Sequence, residues 1–252
     1  MKKNIYPVGF STGCLYQSGW NLNKQVEFYC SLGVSAIELG FAHPAHLLNF
    51  NLSPLSMEQM RKLDWISIHA PWKEIRYNEC WALPAMLIKK LESLCNQLPI
   101  RGIVAHPDVI DDFGYLQRTG LPFLIENQDK RRGNDYSQPE HFQKLANKYR
   151  FGFCLDLQHC YEHDSSMILA EEFIKMLGDR IKELHVSGQS PSEIHYPVVA
   201  ADNKNAIARI LRLKPDFPLI LEGTIIGSTK TIQTMAGEEL KFVTGLTEND
   251  NA

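Results

Sequence analysis

Short apolar, β-branched runs recur eight times along this chain, and each reads as a strand followed by a loop and a helical pattern. They are VGFST (8–12), AIELGF (36–41), WISIHA (65–70), IRGIVAHP (100–107), LPFLIEN (121–127), FGFCLD (151–156), IKELHVS (181–187) and PLILEG (218–223). Most are near-continuous apolar stretches rather than alternating ones, as expected of strands covered on both faces. Helical spacing recurs between them, at 23–33, 53–63, 82–98, 137–149, 165–178, 203–213 and 230–246. Gly33 is a natural C-terminal stop for the first of these. Ser53 and Pro54 suit the cap and first position of the second. Strand and helix alternating in this way predict one (β/α)8 barrel over residues 1–252, an α/β TIM barrel. The alternative is a doubly wound open sheet, but the chain carries no Gly-rich dinucleotide or P-loop fingerprint.

With 252 residues the chain can bury a substantial core as a single barrel domain. Its formal charge of −3 argues against a dedicated nucleic-acid binder, which usually shows a basic excess. None of the six cysteines forms a C-x-x-C pair, and Cys154 lies inside an apolar run. Free thiols in a reducing cytoplasm are the expectation. There is no signal-like apolar stretch near the start and no apolar run of about twenty residues, so no membrane partner is expected.

In a barrel the chemistry sits where strands end and loops begin. Those ends carry Glu38, His69, His106, Glu126, Asp156, His185 and Glu222, with His159 just past strand six and Glu193 and His195 after strand seven. Each alone reads equally well as a hydrogen-bonded structural residue. Together they converge on one volume, where crowded, partly dehydrated carboxylates repel one another. A bound cation removes that penalty, and mixed His and carboxylate donors suit Zn²⁺, Mn²⁺ or Fe.

The motifs resemble the xylose-isomerase-like barrels, the superfamily of the family 2 AP endonucleases and the sugar epimerases, over nearly the whole chain. The nearest pattern is the three-metal site of the endonuclease IV group. By that resemblance SIHAP supplies His69, VAHPD His106, LIEN Glu126, LDLQH Asp156 and His159, LHVSG His185 and LILEG Glu222. The implied sites are His69, His106 and Glu126; then Glu126, Asp156, His185 and Glu222; then His159, Glu193 and His195. Glu193 stands where the family has Asp, so its carboxylate reaches farther by about one carbon–carbon bond. Two or three divalent ions are implied, Zn²⁺ first, with Mn²⁺ or Fe as alternatives.

Three reactions fit. The first is phosphoester hydrolysis by metal-activated water, with Glu126 and Glu222 catalytic and Lys130, Arg131, Arg132 and Trp72 contacting the substrate. Tyr77 is a further stacking candidate in the same loop as Trp72, and the basic triplet reads equally as a solvated charge run. The second is isomerisation or epimerisation of a sugar, with one metal and Glu126 and Glu222 as acid and base. The third is oxidation of a peptide or small molecule by a multinuclear iron site. A small-molecule substrate, phosphorylated or a sugar, is the expected partner. The sequence leaves the oligomeric state open.

Overall fold

The computed structural model describes residues 6–133, 135–213 and 216–247. The eight expected strands all form: β1 (Val8–Ser11), β2 (Ala36–Gly40), β3 (Trp65–His69), β4 (Gly102–Ala105), β5 (Phe123–Glu126), β6 (Gly152–Asp156), β7 (Ile181–Val186) and β8 (Leu219–Leu221). Each pairs in parallel with the next, and β8 closes on β1. Closure removes the open sheet as an alternative and leaves no unpaired edge.

The helices follow the strands: α1 (Leu22–Ser31), α2 (Pro44–Asn49), α3 (Pro54–Met60), α4 (Ala82–Gln97), α5 (Phe113–Arg118), α6 (Pro139–Lys148), α7 (Leu157–His163), α8 (Ile168–Leu177), α9 (Lys204–Arg212) and α10 (Thr229–Thr247). Local signals set several ends. The Ser53 hydroxyl accepts from the Ser56 N–H at the start of α3, with Pro54 in first position. Gly33 follows α1 at φ +77°, a conformation that favours glycine.

Three helices go beyond the sequence reading. The connection from β4 to β5 shows no long helical pattern, and it folds as a 3-10 turn and the six-residue α5. The segment after β2 adds α2. The LQH stretch after β6 is helical as α7 rather than loop.

Apolar faces hold the layers together. Val26 and Tyr29 of α1, Leu87, Leu91 and Leu94 of α4, Phe173 of α8 and Ile210 of α9 form one buried cluster with the strands. Phe142 of α6 stands edge-on to Phe153 of β6 and Phe173 of α8, at 5.3 and 5.4 Å between ring centroids. Truncating such a ring to alanine costs about 3–5 kcal/mol. All six cysteines are free. Among the described residues no helix is long and apolar enough to cross a membrane.

Candidate metal centre

The strand ends on the C-terminal face gather the titratable groups. Glu126, the last residue of β5, is 1% exposed and lies at the middle of them. Its Oε2 is 2.8 Å from His106 Nε2 and 3.3 Å from His69 Nε2. Its Oε1 is 3.0 Å from His185 Nδ1. The two oxygens of one carboxylate thus face two different sets of imidazoles.

Asp156 caps the helix that follows β6. Its Oδ1 accepts the His159 N–H at 2.9 Å, which sets Asp156 and His159 one helical turn apart. Its Oδ2 is fully buried and has no hydrogen-bond partner among the described residues. Fixed in this way, Asp156 joins Glu126, His185 and Glu222 in a set whose donor atoms lie within 4.8 Å of one another. His69, Glu126 and His185 form a second set, Asp156, His159 and His195 a third, and Cys154, Glu183 and His185 a fourth.

His195 comes from the loop after β7. The Ser187 hydroxyl lies 2.9 Å from its Nδ1, and its carbonyl accepts from Thr224 N–H at 3.0 Å. Gly223 allows this close crossing, because a Cβ there would stand 2.4 Å from Pro197 N. Glu193 lies outside all four donor sets. Asp156 instead groups with His159 and His195.

The four residues expected at the substrate divide. Trp72 packs tilted against the centre, its ring 4.6 Å from that of His69 and 5.4 Å from that of His106. Lys130, Arg131 and Arg132 form a 3-10 turn capped by Asp129. Arg131 pairs with Asp129 at 2.6 Å, and Arg132 with Asp108 at 2.5 Å, two residues from His106. Lys130 and Arg131 also line a cavity of about 520 Å³ with Tyr161, Ser165 and Gln189. Tyr77 is fully buried with its hydroxyl on the Pro71 carbonyl, so it packs the loop.

Sequence reading did not single out Asn127, Ser187 or Glu183. Asn127 is bonded to Asp156 through both main-chain groups, and its carbonyl lies 2.7 Å from His159 Nδ1. The IEN stretch carried that signal, since an Asn immediately after a strand-end Glu suits a buried polar bracket.

Electrostatics show what this donor set lacks. Burial opposes charge on Glu126, yet the field and hydrogen bond of His106, joined by His185, hold it well below the usual carboxylate range. Burial pushes Glu222 up to about 7, with Glu38 and Asp156 repelling its charge against the attraction of His185. Burial works against a proton on His69, but its bond to Glu126 and the field of Glu38 lift it to about 9. Burial takes His195 down to about 4. Without a cation, protons on His69 and Glu222 offset the carboxylates. A divalent ion would displace those protons, and Asp156 Oδ2, which makes no hydrogen bond and lies 3.6 Å from His159 Nε2, would be a donor to it. The residues present fit such an ion.

No family model and no curated protein matches the sequence. Solved structures do. The AsfvAP:AG crystal structure superposes at a TM-score of 0.71 and 15% identity, covering 96% of this chain and 99% of that one. Endonuclease IV from Thermus thermophilus gives 0.66 and 17%, over 96% and 99%. D-psicose 3-epimerase from Clostridium cellulolyticum, solved with D-tagatose, gives 0.65 and 12%, over 96% and 100%. The chain has the xylose-isomerase-like barrel fold. Within that fold the strand ends around Glu126 occupy the C-terminal face, where barrels of this architecture carry their active sites.

Proposed function

We propose that this xylose-isomerase-like barrel is a metal-dependent enzyme that hydrolyses a phosphoester of a small molecule. The observation that carries the reading is the split of the Glu126 carboxylate, with one oxygen toward His69 and His106 and the other toward His185. That is the disposition of a bridging ligand between two ions. A mononuclear site has no use for His69 and His106. His69, His106 and Glu126 would hold one ion, and Glu126, Asp156, His185 and Glu222 a second. His159 and His195, joined by Asp156 or by Glu193 after loop movement, would hold a third. Zn²⁺ suits this mixture best, with Mn²⁺ or Fe as alternatives. Divalent ions held there would acidify a water beside Glu126 and offset the charge of a phosphoryl group.

The chain's own residues supply the rest. Glu126, charged at neutral pH, orients the water. Glu222, at about 7, can give or take a proton at working pH. Trp72 roofs the His69 and His106 rings and limits water there. Lys130 and Arg131, at the cavity beside the third donor set, would receive a phosphate oxygen. Free thiols fit a reducing cytoplasm.

A sugar isomerase or epimerase is the second reading, favoured by the complete four-ligand set of Glu126, Asp156, His185 and Glu222. The test is turnover of a generic phosphodiester against a panel of ketoses, with Zn²⁺, Mn²⁺ or Fe²⁺ added in turn. Phosphodiester cleavage is the expected result. Ketose interconversion alone would select the second reading, and air-dependent oxidation with Fe²⁺ alone would select an iron oxidase.

A further inference from the structure

Glu38 belongs to none of the four donor sets, yet it is fully buried at the floor of the same site. Glu183 lies beside it, also fully buried, with its carboxylate grouped with Cys154 and His185. Their strands reach the lumen from different sides: Glu38 projects from β2 and Glu183 from β7. A barrel lumen is ordinarily packed with branched apolar side chains, and each carboxylate moved out of water costs several kcal/mol. Two of them, side by side, require a donor.

That donor is His185. Its Nε2 lies 3.1 Å from Glu38 Oε2 and 3.2 Å from Glu183 Oε1. Nε2 thus faces an oxygen of each carboxylate, and a proton on it bonds to both. A further group fixes Glu183 itself. The Trp65 indole N–H donates to the other oxygen of Glu183. Glu38 Oε1, its other oxygen, is buried without a hydrogen bond. A flip of the fully buried ring would set carbon against both carboxylates. The opposite nitrogen, Nδ1, is left facing Glu126 Oε1 at 3.0 Å and Glu222 Oε2 at 3.2 Å.

We propose that Glu38 and Glu183 are positioning residues that fix the ring and tautomer of His185, making Nδ1 its metal-ligating nitrogen and tightening the ion held with Glu126, Asp156 and Glu222. Carboxylates behind a ligating imidazole orient it and raise its basicity, and their loss lowers metal affinity by about 10–100-fold. This rests on the metal-centre reading above.

The test measures Zn²⁺ affinity by competition with a chromophoric chelator, on wild type, Glu38→Gln and Glu183→Gln, alongside thermal melting of the metal-free proteins. Each variant is expected to lose about 10–100-fold in affinity at one site while its metal-free form melts at or above the wild-type temperature. Affinities within twofold of wild type would overturn the proposal, as would lower melting with affinity unchanged, which marks a purely structural role. Should the variants fail to fold, long-range ¹H–¹⁵N spectra of the Zn²⁺-loaded wild type decide the point. The expected pattern for His185, assigned by its loss in His185→Ala, is protonated Nε2 and metal-bound Nδ1. Metal on Nε2 would refute it. A wild type that binds no Zn²⁺, Mn²⁺ or Fe²⁺ would defeat the metal centre and this inference together, whereas unaffected variants of a metal-binding wild type would defeat the inference alone.

Discussion

Asn127 and Asp156 exchange two hydrogen bonds across the ends of β5 and β6. The Asn127 amide donates to the Asp156 carbonyl at 3.0 Å, and the Asp156 N–H donates to Asn127 Oδ1 at 2.6 Å. The bracket fixes the spacing between Glu126, one residue before, and the Asp156 side chain. Asn127→Ala removes both bonds from a buried site. It should lower stability by about 2 kcal/mol or more, a fall in Tm of roughly 4–8 °C. Melting of the metal-free protein checks this, and a Tm within a degree of wild type would show that the bracket is dispensable.

Glu126→Gln keeps the shape of the side chain and removes its charge. Its two ends can no longer face the two imidazole sets as one anion. Bound metal, measured by elemental analysis after purification without chelator, should fall by at least one ion per chain. Turnover should fall by about 10²-fold or more. Full occupancy with normal turnover would exclude a bridging role.

The double change His69→Ala/His106→Ala separates the reactions. An isomerase working through Glu126, Asp156, His185 and Glu222 keeps at least part of its activity. A hydrolase should lose orders of magnitude in kcat, because the water loses one of its two activating ions. Ketose turnover that survives the double change would promote the isomerase.

Metal binding should release protons. His69 is held at about 9 and Glu222 at about 7 in the metal-free protein, so both carry protons through part of the neutral range. An ion must displace them, so apparent affinity should rise with pH through the neutral range. Calorimetry at pH 7 in buffers of different ionisation enthalpy reads the release directly. Buffer-independent binding heats would contradict it.

Glu239 gives stability its own pH dependence, away from the metal ligands. Its carboxylate accepts the Val198 and Val199 N–H groups, each at 2.8 Å, tying α10 to the loop before α9. Burial pushes it up to about 7 against those two bonds, from an ordinary value of 4.5. The folded state therefore binds more protons than the unfolded state between those limits. Its contribution is fully present below about 4.5 and is lost as pH rises through 7, by roughly 3 kcal/mol at most. Urea unfolding of Glu239→Gln should lack this component, so wild type and variant should diverge between pH 5 and 7. Parallel curves would show that Glu239 stays charged throughout.

The sequence by itself determined the eight strands, their order and the polar residue types at their ends. Continuous apolar runs such as FGFCLD can be buried only on both faces, and a strand that ends on Asp156 or Glu126 carries that group to the barrel rim. Tertiary structure decided what each group faces. Glu38 reads as one more strand-end carboxylate, yet the barrel turns it inward beneath His185. Glu193 sits two residues from His195 in sequence, but a hairpin-like loop leaves it outside the donor sets, and the cap on α7 puts Asp156 with His159 and His195. Arg131 and Arg132 read as open cations, and folding sets Asp129 and Asp108 against them. The β4–β5 connection gave no helical periodicity because α5 has only six residues. Chain spacing fixes which residues reach the rim. The direction of a side chain in a closed barrel depends on strand tilt and on neighbours supplied from distant parts of the chain.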